Sequence, residues 1–150
     1  MSKNILKIIP NNPTDTFEEY RIALGKIFLT NIFKEKSGEI KINRTENLRF
    51  IDPGTNLNHI HCPFCHSEIN LTWWQEAMDA AFQKDFMDLA TYTPCCNQPI
   101  SLNDLIYDWP AGFAKVSLEI ENPVMDLDDI AQKKLEELLK VKLRKIWGHY

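Results

Sequence analysis

The chain has 150 residues, 44% of them hydrophobic and 25% charged, a size and balance that suit one globular domain with a real core and exclude a disordered chain. With 17 basic against 21 acidic side chains the net charge is −4. That disfavours a general nucleic-acid binder, whose affinity comes from neutralising phosphates, and fits a basic partner better.

In chain order, Asn4-Ile5-Leu6-Lys7-Ile8-Ile9 is rich in β-branched residues and closes at the turn cluster Pro10-Asn11-Asn12-Pro13, so it reads as a first strand. Asp15 or Thr16 then caps a helix, with Glu18 or Glu19 completing a capping box. Phe17, Tyr20, Leu24, Ile27 and Phe28 repeat along one face of that helix, and Ile22, Leu29, Ile32 and Phe33 make another apolar. So wide an apolar surface implies burial on more than one side or a partner. Lys34, Lys36 and Ser37-Gly38 end the helix. Residues 39–43 and 47–51 alternate with period two and are expected to be antiparallel neighbours joined by a turn at Arg44-Thr45-Glu46. Asp52-Pro53-Gly54-Thr55-Asn56 forms a loop into the next segment.

That segment opens on His59-Ile60-His61-Cys62-Pro63-Phe64-Cys65-His66 and is answered by Thr93-Pro94-Cys95-Cys96-Asn97, and these two clusters hold all 4 cysteines. A Cys-x-x-Cys turn lets two thiolates converge on one ion at about 2.3 Å, and a second pair completes a closed tetrahedron. The segment Met1–Lys7 lacks the apolar run of a signal peptide, and no window reaches the ~18 apolar residues of a membrane span, so the expected location is the cytoplasm. Thiols stay reduced there, and a disulfide between neighbouring Cys95 and Cys96 is strained, so the clusters favour a metal over disulfides. The expected ligands are Cys62, Cys65, Cys95 and Cys96, and the expected ion is zinc in a structural site. Neighbouring side chains in an extended segment point apart, so Cys95 and Cys96 share an ion only if the backbone turns there, which Pro94 and Asn97 favour. Without that turn, His59, His61 or His66 is the fourth ligand.

Between the clusters, Thr72-Trp73-Trp74-Gln75 reads as a capping box for a helix whose face carries Trp74, Met78, Ala81, Phe82 and Leu89, an element that a minimal zinc ribbon lacks. Ser101-Leu102-Asn103-Asp104 caps a short helix that stops by Asp108-Trp109-Pro110-Ala111-Gly112, and residues 113–121 alternate as a further strand. Asp126 to Trp147 is expected to be one helix, with Leu127, Ala131, Leu135, Leu138, Leu139, Leu143 and Ile146 in a stripe. Its acids Asp126, Asp128 and Asp129 come first and its bases Lys140, Lys142, Arg144 and Lys145 last, as the helix dipole prefers. No internal repeat is visible. The order implies a single α+β domain over residues 1–150, an antiparallel sheet with helices on one face in a split β-α-β-like arrangement, carrying an inserted zinc-knuckle module at residues 59–97.

His66-Ser67-Glu68 and Pro94-Cys95 share part of the zinc deaminase pattern, but Gln98 stands where that pattern needs a cysteine, so a zinc-dependent hydrolase or deaminase-like enzyme is a lesser alternative. A nucleic-acid-binding or regulatory knuckle is the other, and Phe64 with its histidines lacks the cationic neighbours this needs. Trp73, Trp74, Trp109, Trp147, Tyr92 and Tyr107, with Asp79, Asp85, Asp88, Asp104 and Asp108, suit an acidic aromatic face for a basic protein partner.

The motifs Thr93-Pro94-Cys95-Cys96, Ser101-Leu102-Asn103-Asp104-Leu105, Tyr107-Asp108-Trp109-Pro110-Ala111-Gly112-Phe113 and Asn122-Pro123 resemble those of small bacterial zinc-knuckle proteins without an assigned activity, a resemblance that runs from the first strand to Trp147-Gly148-His149-Tyr150. Asn97 departs from it where such proteins have glycine. Proteins of this type are similar to immunity proteins of polymorphic toxin systems. The resemblance implies a non-catalytic protein-binding domain that neutralises a toxin.

Overall fold

A computed structural model describes residues 2–33 and 39–150. Its frame is a four-stranded sheet built from β1 (Asn4–Pro10), β2 (Ile40–Ile51), β7 (Gly112–Glu121) and β8 (Leu143–His149), in the order β2-β7-β1-β8. Every neighbouring pair is antiparallel. Helix α1 (Glu19–Ile32) links β1 to β2, and α3 (Asp129–Leu139) links β7 to β8. Each linked pair has one strand of the other pair between its members, so the split β-α-β unit occurs twice, the β-α-β-β-α-β arrangement called ferredoxin-like. Both helices contribute to one buried cluster, in which Ile22, Leu29, Leu135 and Leu139 meet Leu6, Ile8, Val116, Leu118 and Ile120 of the sheet. The expected α+β class, with helices on one face of an antiparallel sheet, is the observed one. No helix among the described residues is long and apolar enough to cross a membrane.

Several elements differ from expectation. Residues 39–43 and 47–51 do not pair with each other. They follow one another along β2 and both pair with β7, the register slipping between Arg44 and Arg49, so the expected turn at Arg44-Thr45-Glu46 is an irregularity within one strand. Helix α1 starts at Glu19 behind Glu18, which makes no side-chain cap, so neither Asp15 nor Thr16 is the cap, and the side-chain turn before the helix is that of Asn12, which accepts from Thr14. Its buried face is Ile22, Gly25 and Leu29, whereas Tyr20, Leu24 and Ile27 lie exposed at 58%, 44% and 61%. Gly25 decides between the two apolar faces: a Cβ there would sit 3.1 Å from Leu139 and 3.4 Å from Leu135, so only the glycine face lets α3 approach. The expected helix end at Lys34, Lys36 and Ser37-Gly38 lies outside the described residues.

The largest correction is at the C-terminal end, where α3 stops at Leu139. Lys140 takes a left-handed conformation (φ 61°), and the chain returns as β8, paired with β1 from Asn4↔His149 to Pro10↔Leu143. The apolar stripe therefore belongs to two elements, and of the four bases only Lys140, the C-cap, adjoins the helix end, while Arg144 and Lys145 lie in β8. Lys145 pairs with Asp126, and Arg144 donates to the carbonyls of Asn103 and Ala111. Burying both flanks of β1 overrides the helical preference of this segment.

Between β2 and β7 the chain leaves the sheet to make β3 (Ile60–His61), α2 (Leu71–Phe82), β4 (Ala90–Tyr92), β5 (Pro99–Ser101), a 3₁₀ turn (Leu102–Asp104) and β6 (Ile106–Tyr107). β3 pairs with β6 and β4 with β5, so the paired structure continues past Asn97 to Tyr107. Asn70 caps α2 by accepting from Thr72 and Trp73, two residues ahead of the expected Thr72 cap. A second core joins this segment to the sheet through the cross-strand pair Phe50 and Phe113, whose rings lie 5.2 Å apart. Trp74 meets Phe50 at 5.6 Å and Phe86 meets Phe113 at 5.2 Å, while the Trp74 indole donates to the Tyr107 hydroxyl at 3.2 Å.

Lys140→Gly, which relieves the Cβ strain of a left-handed residue after a helix, is expected to raise unfolding free energy by about 0.5–1 kcal/mol in urea titrations. A loss of stability there would contradict the turn that separates α3 from β8.

Candidate metal centre

Two short loops build the site. After β3, the run Cys62-Pro63-Phe64-Cys65-His66-Ser67 turns back on itself: the Cys62 N–H donates to Ser67 O at 2.9 Å, the His66 N–H donates to Cys62 O at 3.0 Å, and His66 is left-handed (φ 62°). After β4, Thr93-Pro94-Cys95-Cys96-Asn97-Gln98 repeats the same scheme. The Thr93 N–H donates to Gln98 O at 2.9 Å, the Asn97 N–H donates to Thr93 O at 2.9 Å, and Asn97 has φ 53°. A proline occupies the second position of each loop, where its fixed φ favours the turn. The turn required for Cys95 and Cys96 to share a ligand is therefore present, with Asn97 in the conformation that glycine would take more cheaply.

The two loops place different residues at equivalent positions. Cys65 and Cys96 correspond, but the counterpart of Cys62 is Thr93, and the counterpart of Phe64 is Cys95. The second loop thus supplies its other sulfur from its third position instead of its first. Thr93 is 1% exposed; its hydroxyl accepts from the Gln98 N–H at 2.9 Å and lies 3.2 Å from Cys96 Sγ. The sequence reading passed over Thr93 and over this repeat, whose trace is the shared Pro-x-Cys spacing at residues 63–65 and 94–96.

All four sulfurs lie within 4.8 Å of one another, with Cys62 to Cys96 at 3.7 Å and Cys65 to Cys95 at 3.3 Å. A disulfide needs about 2.05 Å. Tetrahedral bonds of about 2.3 Å set their sulfurs roughly 3.8 Å apart, so the spacing is that of ligands around one ion. Cys62 is buried, Cys96 is half-buried, and Cys65 and Cys95 are exposed, which puts one side of the cluster at the surface. The cluster that can hold a metal ion consists of cysteines only. His59 instead turns its Nδ1 to the Glu68 carboxylate, and His61 lies in β3 opposite Ile106. Glu68 is thereby engaged with His59.

The protonation pattern shows what four crowded sulfurs cost one another. Hydrogen bonds from the Ser67 hydroxyl and N–H hold Cys65 down to about 6. Desolvation, then the sulfurs of Cys65, Cys62 and Cys96, push Cys95 up to about 12. For Cys62, burial works upward, but the N–H groups of Cys65 and Phe64 and the neighbouring sulfurs bring the thiol below its usual range. For Cys96, the Thr93 hydroxyl works downward, yet desolvation and the sulfurs of Cys62 and Cys65 leave the thiol raised. Cys62 and Cys65 are thus shifted downward and Cys95 and Cys96 upward, and binding a cation would expel the protons from all four.

No family model matches the chain, and no curated protein or solved structure matches it either.

Cys95→Ser is expected to weaken cobalt or zinc binding about a hundredfold in a competition titration, since one of four ligands carries roughly a quarter of a binding energy of about 10–16 kcal/mol. Adding Thr93→Cys to that variant is expected to restore most of the affinity, because the new sulfur stands where Cys62 stands in the first loop. A double variant no tighter than Cys95→Ser would contradict the equivalence of the loops. A separate pH effect comes from His59, raised above its usual range by its hydrogen bond to Glu68, then by the Glu68 charge, with Asp108 adding to it. A raised histidine stabilises the fold fully below its unfolded value of about 6.5 and loses that contribution as pH rises through the folded value. His59→Gln should therefore lower thermal stability at pH 6 and leave it unchanged at pH 9, by a small amount that salt reduces further.

Proposed function

We propose that this protein is a zinc-stabilised binding domain that acts on a protein partner through its surface and catalyses nothing. The observation that carries the reading is the all-sulfur cluster of Cys62, Cys65, Cys95 and Cys96. Four thiolates on one divalent ion close the tetrahedron, and zinc is the ion that such a set suits best. A closed tetrahedron has no position for a substrate or an activated water, in contrast to a catalytic zinc site with three protein ligands. Glu68, the candidate proton shuttle of a deaminase-like site, is committed to His59. Four free cysteines so close together also suit a reducing compartment, which supports a cytoplasmic location.

The surface supplies the rest. Phe64, Phe82, Met87, Tyr92 and Trp109, all on the segment between β2 and β7, are at least 45% exposed. Aromatic and methionine side chains in such numbers are what binding surfaces use. The resemblance in the Cys-Cys, Ser-Leu-Asn-Asp-Leu and Asp-Trp-Pro-Ala-Gly-Phe motifs makes a bacterial toxin domain the first partner to test, with neutralisation as the outcome of binding. Nucleic acid is the weaker partner, because the aromatic groups stand among acids and not among cations.

Co-expression with the product of the neighbouring reading frame tests the reading. A one-to-one complex that survives gel filtration, with a Kd of about 10 nM or tighter, is expected. A protein that forms no such complex and instead shifts labelled RNA or DNA at physiological salt would contradict it.

A further inference from the structure

The metal-bearing segment differs in charge from the sheet that holds it. Of the chain's 17 basic and 21 acidic side chains, only Lys84 and seven acids fall between residues 59 and 111, which leaves the remainder with 16 bases and 14 acids. Four thiolates around a divalent ion would add further negative charge to the same segment. An anionic partner is repelled from this region, and a cationic one is drawn to it.

On that segment a groove of ≈ 620 Å³ opens beside the metal loops. Its apolar lining comes from Phe64 of the first loop, Met87 and Leu89 before β4, and Pro99 and Ile100 of β5. Met87 is 82% exposed and Phe64 51% exposed, so two large apolar groups flank the groove without cover among the described residues. Asp88 and Asp104 line the same groove. Asp88 is tied on one oxygen to the Ala90 N–H and lies 3.8 Å from Lys84 on the other, whereas Asp104 makes no salt bridge among the described residues but has the Arg144 charge in its surroundings. The combination is an apolar floor with carboxylates beside it, on a segment in which seven acids outnumber one base.

We propose that this groove is the docking site for the protein partner, and that it receives an extended cationic segment of that partner bearing a large apolar side chain. The apolar residue lies over Leu89 and Ile100 between Phe64 and Met87, and the flanking lysine or arginine side chains meet Asp88 and Asp104. Met87 suits this role because an unbranched thioether adapts to the shape set against it. The inference rests on the reading of the protein as a binding domain, and it assigns that domain a face and a ligand chemistry.

The test uses the full-length, zinc-loaded protein and three probes: a capped decapeptide alternating arginine with leucine, its counterpart with glutamate for arginine, and a single-stranded DNA decamer. NMR titration of the ¹⁵N-labelled protein is expected to show the arginine peptide shifting the amides of Met87, Asp88, Ala90 and Ile100. Met87→Ser and Asp104→Lys, both at exposed positions, are each expected to weaken it at least tenfold: the first by removing apolar contact, the second by reversing charge. Leu24→Glu, on the exposed face of α1, is expected to change nothing. Equal binding of the glutamate peptide, binding of the DNA at the groove, shifts centred on α1, or no binding at all would overturn the docking site. In the cognate complex, Met87→Ser separates the two readings. A complex that forms with the parent and is undiminished by Met87→Ser overturns the groove alone, and a parent that forms none overturns the binding reading beneath it.

Discussion

Four sulfurs lie within 4.8 Å of one another with no disulfide among them, an arrangement that could hold one metal ion. The loops that carry them are anchored by strands of two or three residues, and paired strands this short are not stable by themselves. The loops meet at the second core, to which Cys62 belongs and against which Cys96 packs, while Cys65 and Cys95 lie exposed. That core reaches the main sheet through Phe50 and Phe113, so ordering the metal loops also orders the far end of β2 and β7. An ion at the sulfurs would add to folding directly, because the unfolded chain offers no preformed site.

The division of labour between the two halves of the molecule follows from this. The β-α-β-β-α-β frame has its own core, in which Gly25 admits α3 and the sheet is covered on that face by α1 and α3. The segment between β2 and β7 is built of one helix and strands of two or three residues and carries many exposed aromatic side chains, and an ion held by its four sulfurs would cross-link its two loops. A rigid surface binds with less loss of conformational freedom than a flexible one, which is how a structural metal serves recognition without taking part in it.

Legibility in the sequence followed how local each determinant is. The four cysteines, the left-handed turn at Asn97, strands β1 and β7 and the split β-α-β plan were readable, because composition, turn chemistry and alternation all act over a few residues. β8 was not, since Leu135, Leu139, Leu143 and Ile146 fit a helical period as well as a helix followed by a strand, and only pairing with β1 decides between them. The same holds for α1, whose two apolar faces are told apart by the approach of Leu135 and Leu139 to Gly25. The repeat of the metal loops escaped because its ligands are displaced: Thr93 stands in a cysteine's place, and Cys95 in that of Phe64. Backbone hydrogen bonds reveal the equivalence that residue types conceal.

Zinc-edge X-ray absorption on protein purified without chelators addresses the central claim most directly. Four sulfur scatterers at about 2.3 Å, with no lighter atom in the first shell, are the predicted result. A shell in which a nitrogen or oxygen at about 2.0 Å replaces a sulfur, or a preparation with no bound metal, would contradict it.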